Sequence, residues 1–464
     1  MNPTPPSTGE ASAADSVAME GMHAPERSLL ATIEGQSVGT LQEHRNLWRF
    51  EYTTAWRDTP DGFDLSPWLP RRDARIVDGS TSRPVQWYFD NLLPEEHLRV
   101  RIATEANIAG NDDFALLAHD GAESAGSLTL LPPGKTLAPG TRVPLSDAEL
   151  SRRIGKLPRF SLSSGAEKRM SLAGAQHKLA VIEDDGLYQP VGDAASTHIL
   201  KPDSSDPDYP HTVINEWFTL RLARAMGLAT PDVQRRYVPE PVFLIARFDR
   251  EVTGEVTGDG VRRLHAIDGC QLLNLPRSAK YASATVQSLA AIVEHCREKL
   301  SARRRLFDWL VFNVLTGNDD AHLKNLSFSV GKDGIDLAPH YDLLSTVAGS
   351  TRAYKQEHAA WPQASTVAGD IMGVKRFADI TPEVLIEAAV ALKLPARMAQ
   401  RRVATMAATI VGEAEALYAT VEQENQQWAS VAGVTLEGEM RMLRTILHVV
   451  IKHMAAQLQA PTPA

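Results

Sequence analysis

The sequence predicts an α+β fold of two lobes, preceded by a smaller α+β unit. Three observations lead to it. The chain has 464 residues, more than one compact core accommodates. Its first half alternates apolar and polar residues in short runs separated by Gly and Pro, as strands and turns do. After Asp268 the apolar residues recur at helical spacing over long runs. A β-rich half followed by a helical half predicts two lobes with a cleft between them.

Bulk composition narrows the function classes. Hydrophobic residues make up 43% of the chain, enough for a sizeable core. A formal net charge of −9 excludes a surface that attracts nucleic acid or anionic membrane as a whole. Two cysteines, Cys270 and Cys296, are too few for a disulfide framework or a thiolate zinc site, and point to a reduced, cytoplasmic setting. No apolar run reaches the length of about 18 residues that a membrane helix needs. Residues 1–26, rich in Pro, Ser, Gly and Ala, lack the apolar segment of a secretory signal and read as a disordered tail.

The elements follow in order. SLLATIEGQSVGTLQE predicts two strands around a Gly turn, and LWRFEYTTAWR a half-buried strand. VQWYFDNLLPEEHLRVRIATEANI turns helical, GSLTLL is a further strand, and PPGKTLAPGTRVP reads as a linker. These make a small α+β unit over 27–145. A second unit over 146–250 holds FSLSSGAEKRMSLAGAQHKLAVIEDDGLYQPV as loop, strand, turn and strand. In it THILKP is a short strand, HTVINEWFTLRLARAMG a helix stopped by Gly227, and VFLIARFDR a buried strand. The remainder, 251–464, is mainly helical, with helices near 284–301, 303–317, 382–391, 396–424 and 437–457. The three arginines at 303–305 read as a solvated helix start, and GDG at 258–260 as a hairpin turn.

The chemistry concentrates after the apolar helix LFDWLVFNVLTG, in NDDAHLKN. Asp320 and Asn325 stand five residues apart, and Asp342 comes 17 residues after Asn325, beyond another short strand. This is the order used by protein-kinase-like phosphotransferases. A carboxylate accepts the proton of the attacking hydroxyl, while an amide oxygen and a second carboxylate suit Mg²⁺, a hard cation that takes oxygen ligands. Taken alone, NDDAHLKN also reads as a polar turn capping the buried helix. Two further features stand in kinase order. The small residues of SLAGAQHKLAV would let backbone N–H groups approach phosphates, though they also suit an ordinary hairpin. Lys201 ends the strand THILK as a phosphate anchor would, with Glu216 on the next helix as a partner.

Together these runs resemble the HipA family of serine/threonine kinases, the toxin half of a bacterial toxin–antitoxin pair. The resemblance spans about 35–456. It rests on VGTLQ, FDNLLPE and GSLTLLP in the first unit, then SLAGAQHK, THILKPD, NEW, ARFDR, DGCQ with LPRSAKY, GNDDAHLKN and APHYDLLS. It implies a two-lobed kinase-like core with the small β-rich domain packed on it. Carried over position by position, it implies Asp320 as the catalytic Asp, with His322 and Lys324 in the same loop, and Asn325 and Asp342 as Mg²⁺ ligands. Lys201 would meet the ATP phosphates. Gly174, Ala175 and Gln176 would form the phosphate loop. Arg247, Phe248 and Asp249 would lie at the adenine hinge, Asp249 near the ribose. Ser171 aligns with a serine that the family autophosphorylates; a phosphate there would repel ATP and switch the enzyme off. One departure is Ala266 and Ile267 where the family carries polar residues, leaving Asp268 alone of that run.

The resemblance further implies an ATP- and Mg²⁺-dependent toxin that phosphorylates an aminoacyl-tRNA synthetase and arrests growth. It implies a small helix-turn-helix antitoxin, HipB-like, through which alone DNA is contacted. Two other classes share these residues. One is a small-molecule kinase of the aminoglycoside type; the Ser171 loop and the separate N-terminal unit speak against it. The other is a corepressor acting through the DNA-binding partner.

Overall fold

The computed structural model describes residues 26–164, 173–174, 176–254 and 260–460. The tail read over 1–26 lies outside the described residues except for its last position.

The first unit is built on a five-stranded sheet of order β4-β3-β2-β1-β5. Its strands are β1 (Arg27–Ile33), β2 (Gln36–His44), β3 (Leu47–Tyr52), β4 (Arg75–Val77) and β5 (Leu128–Leu131). The β1–β2 turn places Glu34 and Gly35 at positive φ (48° and 76°), the twist a tight hairpin needs. The predicted alternation in β3 is observed: Trp48, Phe50 and Tyr52 face the core, and their neighbours do not. The strand stops at Tyr52 because Thr53 caps a short helix by accepting from Trp56 N–H. The helical stretch that follows is split into α1 (Pro84–Asp90) and α2 (Glu96–Glu105). Pro84 opens α1, where its missing N–H costs nothing. Residues 91–95 cross between the two helices.

The second sheet has six strands in the order β10-β11-β9-β7-β8-β6. They are β6 (Thr141–Pro144), β7 (Leu179–Glu183), β8 (Leu187–Val191), β9 (His198–Pro202), β10 (Val233–Tyr237) and β11 (Pro241–Ala246). The segment read as a linker thus supplies edge strand β6, and the second unit starts earlier in the chain than 146. Helix α3 (Thr212–Ala225) is buried along most of its length, because the sheet covers one side and the C-terminal helices the other.

The helical part centres on α5 (Lys299–Thr316), which follows α4 (Val286–His295) and is enclosed by α6 (Pro382–Ala391), α7 (Ala396–Ala432) and the C-terminal helices. That enclosure explains why LFDWLVFNVL is apolar on nearly every face. Arg305, expected in solvent, donates from Nη1 and Nη2 to the Leu337 and Ala338 carbonyls. The last helical stretch contains a π turn, Ile446–Ile451. No helix among the described residues is long and apolar enough to cross a membrane.

A small antiparallel sheet sets the site. After the hairpin pair β12 (Arg250–Val252) and β13 (Val261–Arg263), β14 (Ala266–Asp268) pairs with β15 (Ser327–Gly331), and β15 with β16 (Gly334–Leu337). The 317–326 loop enters this sheet and Asp342 follows it. Gly317 ends α5 at φ 64°, and an added Cβ there would strike Val347 and sit 2.7 Å from Val450 Cγ1. Gly317→Ala is therefore expected to cost about 1–3 kcal/mol through the left-handed backbone and the clash together. A lower melting temperature than wild type would show it.

Candidate active site

Three elements converge at the cleft. Strand β9 delivers Lys201, α3 delivers Glu216, and the turn after β16 delivers Asp342. The Lys201 Nζ donates to Glu216 Oε1 at 2.8 Å and Oε2 at 3.0 Å, and to Asp342 Oδ1 at 2.8 Å. Lys201 is 7% exposed and Glu216 1%. Burial alone would lower the ammonium's pKa; Asp342 and Glu216 outweigh it and hold the group cationic. Burial alone would raise Asp342; Lys201 outweighs it and holds the carboxyl at about 2. Asp342 adopts φ 56°, the left-handed region that Asp tolerates better than most residues.

The catalytic-type loop is shaped by its own amides. Asn318 Nδ2 donates to Asn313 Oδ1 at 2.8 Å, and Asn318 Oδ1 accepts the Asp320 N–H at 3.1 Å. The Asp320 carbonyl accepts from His322 N–H and from Asn325 Nδ2, each at 2.8 Å. With its Nδ2 so used, Asn325 has its side-chain oxygen left as a ligand. The Asp320 carboxylate accepts from Tyr281 Oη at 2.6 Å. Partial enclosure pushes Asp320 up to about 6, with Tyr281 pulling it down and Asp342 adding to the rise. His322 is buried, which lowers it to about 4 and keeps it neutral; its Nε2 lies 4.0 Å from Asp320 Oδ1.

The structure thus brings Lys201, Asp342, Asp320, Asn325 and His322 to one region. It places others elsewhere. Lys324, expected among the catalytic groups, turns into the interior: its Nζ donates to the Asn91 carbonyl and Oδ1, both at 2.9 Å, and to Asp268 Oδ2 at 2.5 Å. Those bonds occupy the ammonium, so it has no reach to a phosphate. Arg247 and Asp249 are likewise taken up in a buried ionic cluster. Arg247 reaches Asp249 Oδ2 at 2.7 Å and Glu123 Oε1 at 3.1 Å, while Asp249 Oδ2 accepts Gly126 N–H at 2.7 Å. An Asp so engaged does not suit a ribose contact. Phe248, between them, is half-buried and stacks on Tyr341 with ring centroids 5.7 Å apart. Gln176 Nε2 donates to the Pro202 carbonyl at 3.1 Å, tying Gln176 to β9. Gly174 has φ 108°, which only glycine adopts readily. Ser171 and Ala175 lie outside the described residues.

Sequence reading missed Lys178 and Tyr281. Lys178 donates from Nζ to the Ala173 carbonyl at 2.5 Å, and burial followed by the charge of Lys201 lowers it to about 8. Both sit inside runs already singled out, SLAGAQHK and LPRSAKY, but no spacing rule marks them.

Lys201→Met would leave the buried Glu216 carboxylate and the half-buried Asp342 carboxylate without their cation, at a cost of about 1–3 kcal/mol near pH 7. A carboxyl held at about 2 against an ordinary 3.8 contributes stability above about pH 4 and loses it as pH falls through about 2. Without Lys201 both acids take up protons at higher pH. The melting-temperature gap between wild type and Lys201→Met should therefore narrow from pH 7 to pH 5.

The profile of the HipA-like C-terminal domain matches residues 170–415, and that of the HipA N-terminal domain matches 29–131. A candidate kinase of Sinorhizobium fredii is 38% identical over 332 residues, covering 68% of this chain and 76% of that protein. The serine/threonine-protein kinase toxin HipA of Shewanella oneidensis is 31% identical over 316 residues, covering 63% of this chain and 69% of that protein. A chain of the Shewanella oneidensis HipA, HipB and operator DNA complex matches with a TM-score of 0.73 at 24% identity, covering 93% of this chain and 97% of that one. That likeness shows the two-lobed α+β fold.

Proposed function

The chain belongs to the HipA family, and on that premise we propose that it is an ATP- and Mg²⁺-dependent protein serine/threonine kinase acting as the toxin of a toxin–antitoxin module. The observation that carries the reading is the Lys201 ammonium bonded to both Glu216 and Asp342, facing the Asp320 loop. A kinase needs this arrangement: a cation anchored to an inner helix for the phosphates, a carboxylate for the metal, and a second carboxylate for the acceptor hydroxyl.

In this reading Lys201 orients the ATP phosphates while Glu216 fixes its side chain. Asp320, raised by its surroundings, receives the proton of the attacking Ser or Thr hydroxyl. Tyr281 and the Asn325 amide hold Asp320 in place. Asn325 Oδ1 and Asp342 would hold Mg²⁺; the donor set fits, since both are hard oxygen ligands and phosphate oxygens complete the shell. The ion, when bound, neutralises charge on the phosphates. Gly174 lets the phosphate loop approach closely, with Ala175 and Gln176 beside it. The 246–250 turn meets the base through Phe248 and the backbone.

The finer assignments are part of the same proposal. Ser171 is the autophosphorylation site that switches the enzyme off. The protein substrate is an aminoacyl-tRNA synthetase, whose modification arrests growth in the cytoplasm. The partner is a small helix-turn-helix antitoxin, which makes the DNA contact; the net charge of −9 on this chain supports that division. The functional units are those read over 27–145, 146–250 and 251–464, with the first boundary moved ahead of Thr141 because β6 belongs to the second sheet.

Intact-mass spectrometry after incubation with Mg²⁺-ATP tests the reading. Wild type should gain one phosphate. Asp320→Ala should slow the gain at least about 100-fold, the range of a lost general base. Ser171→Ala should gain none at that site. No added mass on wild type, with Mg²⁺-ATP bound, would contradict a self-phosphorylating kinase. Repression that persists in Asp320→Ala together with unchanged toxicity would favour the corepressor reading.

A further inference from the structure

The crossing segment 91–95 of the first unit touches both loops that a phosphotransferase must align. On one side Glu95 donates its backbone N–H to the Gly174 carbonyl at 3.2 Å, and Pro94 forms a parallel bridge with Gly174. On the other, the Asn91 carbonyl and side-chain oxygen both accept from Lys324, one residue from Asn325. Asn91 is itself fixed, its Nδ2 donating to the Trp87 carbonyl at 2.8 Å and the Leu275 carbonyl at 3.0 Å.

Glu95 extends this hold. Its Oε2 accepts from Lys280 Nζ at 2.6 Å, and its Oε1 lies 3.5 Å from Lys324 Nζ. The Lys280 carbonyl accepts Leu323 N–H at 3.3 Å, and the next residue, Tyr281, donates to Asp320. Asn91 is 1% exposed, Glu95 3% and Lys324 6%. Glu95 and Asp268 thus face the buried Lys280 and Lys324, and the more exposed Glu96 adds a second contact to Lys280 at 3.3 Å. Removing the Glu95 carboxylate takes a buried charge from beside both ammonium groups. Lys324 belongs to the loop that carries Asp320 and Asn325, and Leu323 of that loop is bonded to the Lys280 carbonyl, so a shift of either lysine reaches it.

We propose that Asn91 and Glu95 are positioning residues: the first unit sets the place of the catalytic loop through Lys324 and Lys280, and completes the active site from outside the kinase core. This rests on the kinase reading of the same cleft. The two contacts of Glu95 predict a split effect. Its side chain acts on the catalytic loop, while its backbone N–H, which a side-chain substitution leaves intact, acts on the phosphate loop.

The test compares wild type with Glu95→Gln, Glu95→Asp and Asn91→Ala. Phosphate incorporation into the chain is followed against ATP concentration, and hydrogen–deuterium exchange is followed in the peptide covering 318–326. Glu95→Gln and Asn91→Ala should lower the saturating rate about 10- to 100-fold, the effect of a displacement near 1 Å. The ATP concentration at half-saturation should move less than about threefold, because Lys201 and Asp342 are untouched. Exchange in 318–326 should rise in both variants. Glu95→Asp, which keeps the charge, should recover part of the rate. If Glu95→Gln fails to fold, Asn91→Ala carries the test alone. Unchanged exchange and rate in both variants would overturn the proposal, as would a loss confined to half-saturation. If wild type incorporates no phosphate, the kinase reading fails, and faster exchange in the variants would still support the positioning.

Discussion

One ammonium held between two carboxylates is the contact on which the cleft depends. Lys201 comes from the six-stranded sheet, Glu216 from α3 and Asp342 from the turn beyond β16. No two of these are near neighbours in the chain, so the pair of bonds can form only when sheet, helix and loop are all in place. Burial makes the arrangement exacting: a buried charge with a missing partner is far more costly than an exposed one. Burial pushes Glu216 up to about 7 even beside Lys201, whereas Asp342 stays ionised, so Asp342 is the firm negative charge of the cluster.

The first unit is joined to the core by more than contact area. A hydrophobic cluster runs from Trp48, Phe50 and Phe89 through to Phe307, Phe312 and Phe328 without a break. Polar ties lie beside it. Arg247 and Arg250 share Glu123, and Tyr88 Oη meets His265 Nε2 at 3.1 Å. Burial lowers His265 to about 4, so this contact stays neutral in the physiological range. Such buried polar clusters specify one docking geometry, since a slipped interface would leave charges unpaired. A shared core with polar pins suits a unit that helps to set the cleft.

Much of this was legible in the sequence, and the limits are physical. The alternation in LWRFEY, the Gly turn before β2 and the all-round apolar α5 are local patterns, and local patterns survive reading in one dimension. The spacing of Asp320, Asn325 and Asp342 survives for the same reason: loop, hairpin and turn are contiguous. Partnerships across long separations do not. Lys324 and Asp249 sit in chemistry-bearing runs, yet their charges answer Asn91, Asp268, Arg247 and Gly126, some more than 100 residues away. The pairing of Glu216 with Lys201 was readable from the order of strand and helix, but the covering of α3 on both sides was not. TRVP reads as linker because an edge strand needs little apolar residue content of its own.

The most direct test of the central claim is calorimetric binding of ATP, with and without Mg²⁺, to wild type and to Asp342→Asn. If Lys201 and Asp342 form a phosphate and metal site, Mg²⁺ strengthens ATP binding to wild type. Asp342→Asn keeps the metal-free binding and loses the gain. A gain of the same size in Asp342→Asn would contradict the account, because the carboxylate that Lys201 holds ionised would then have no part in binding the ion.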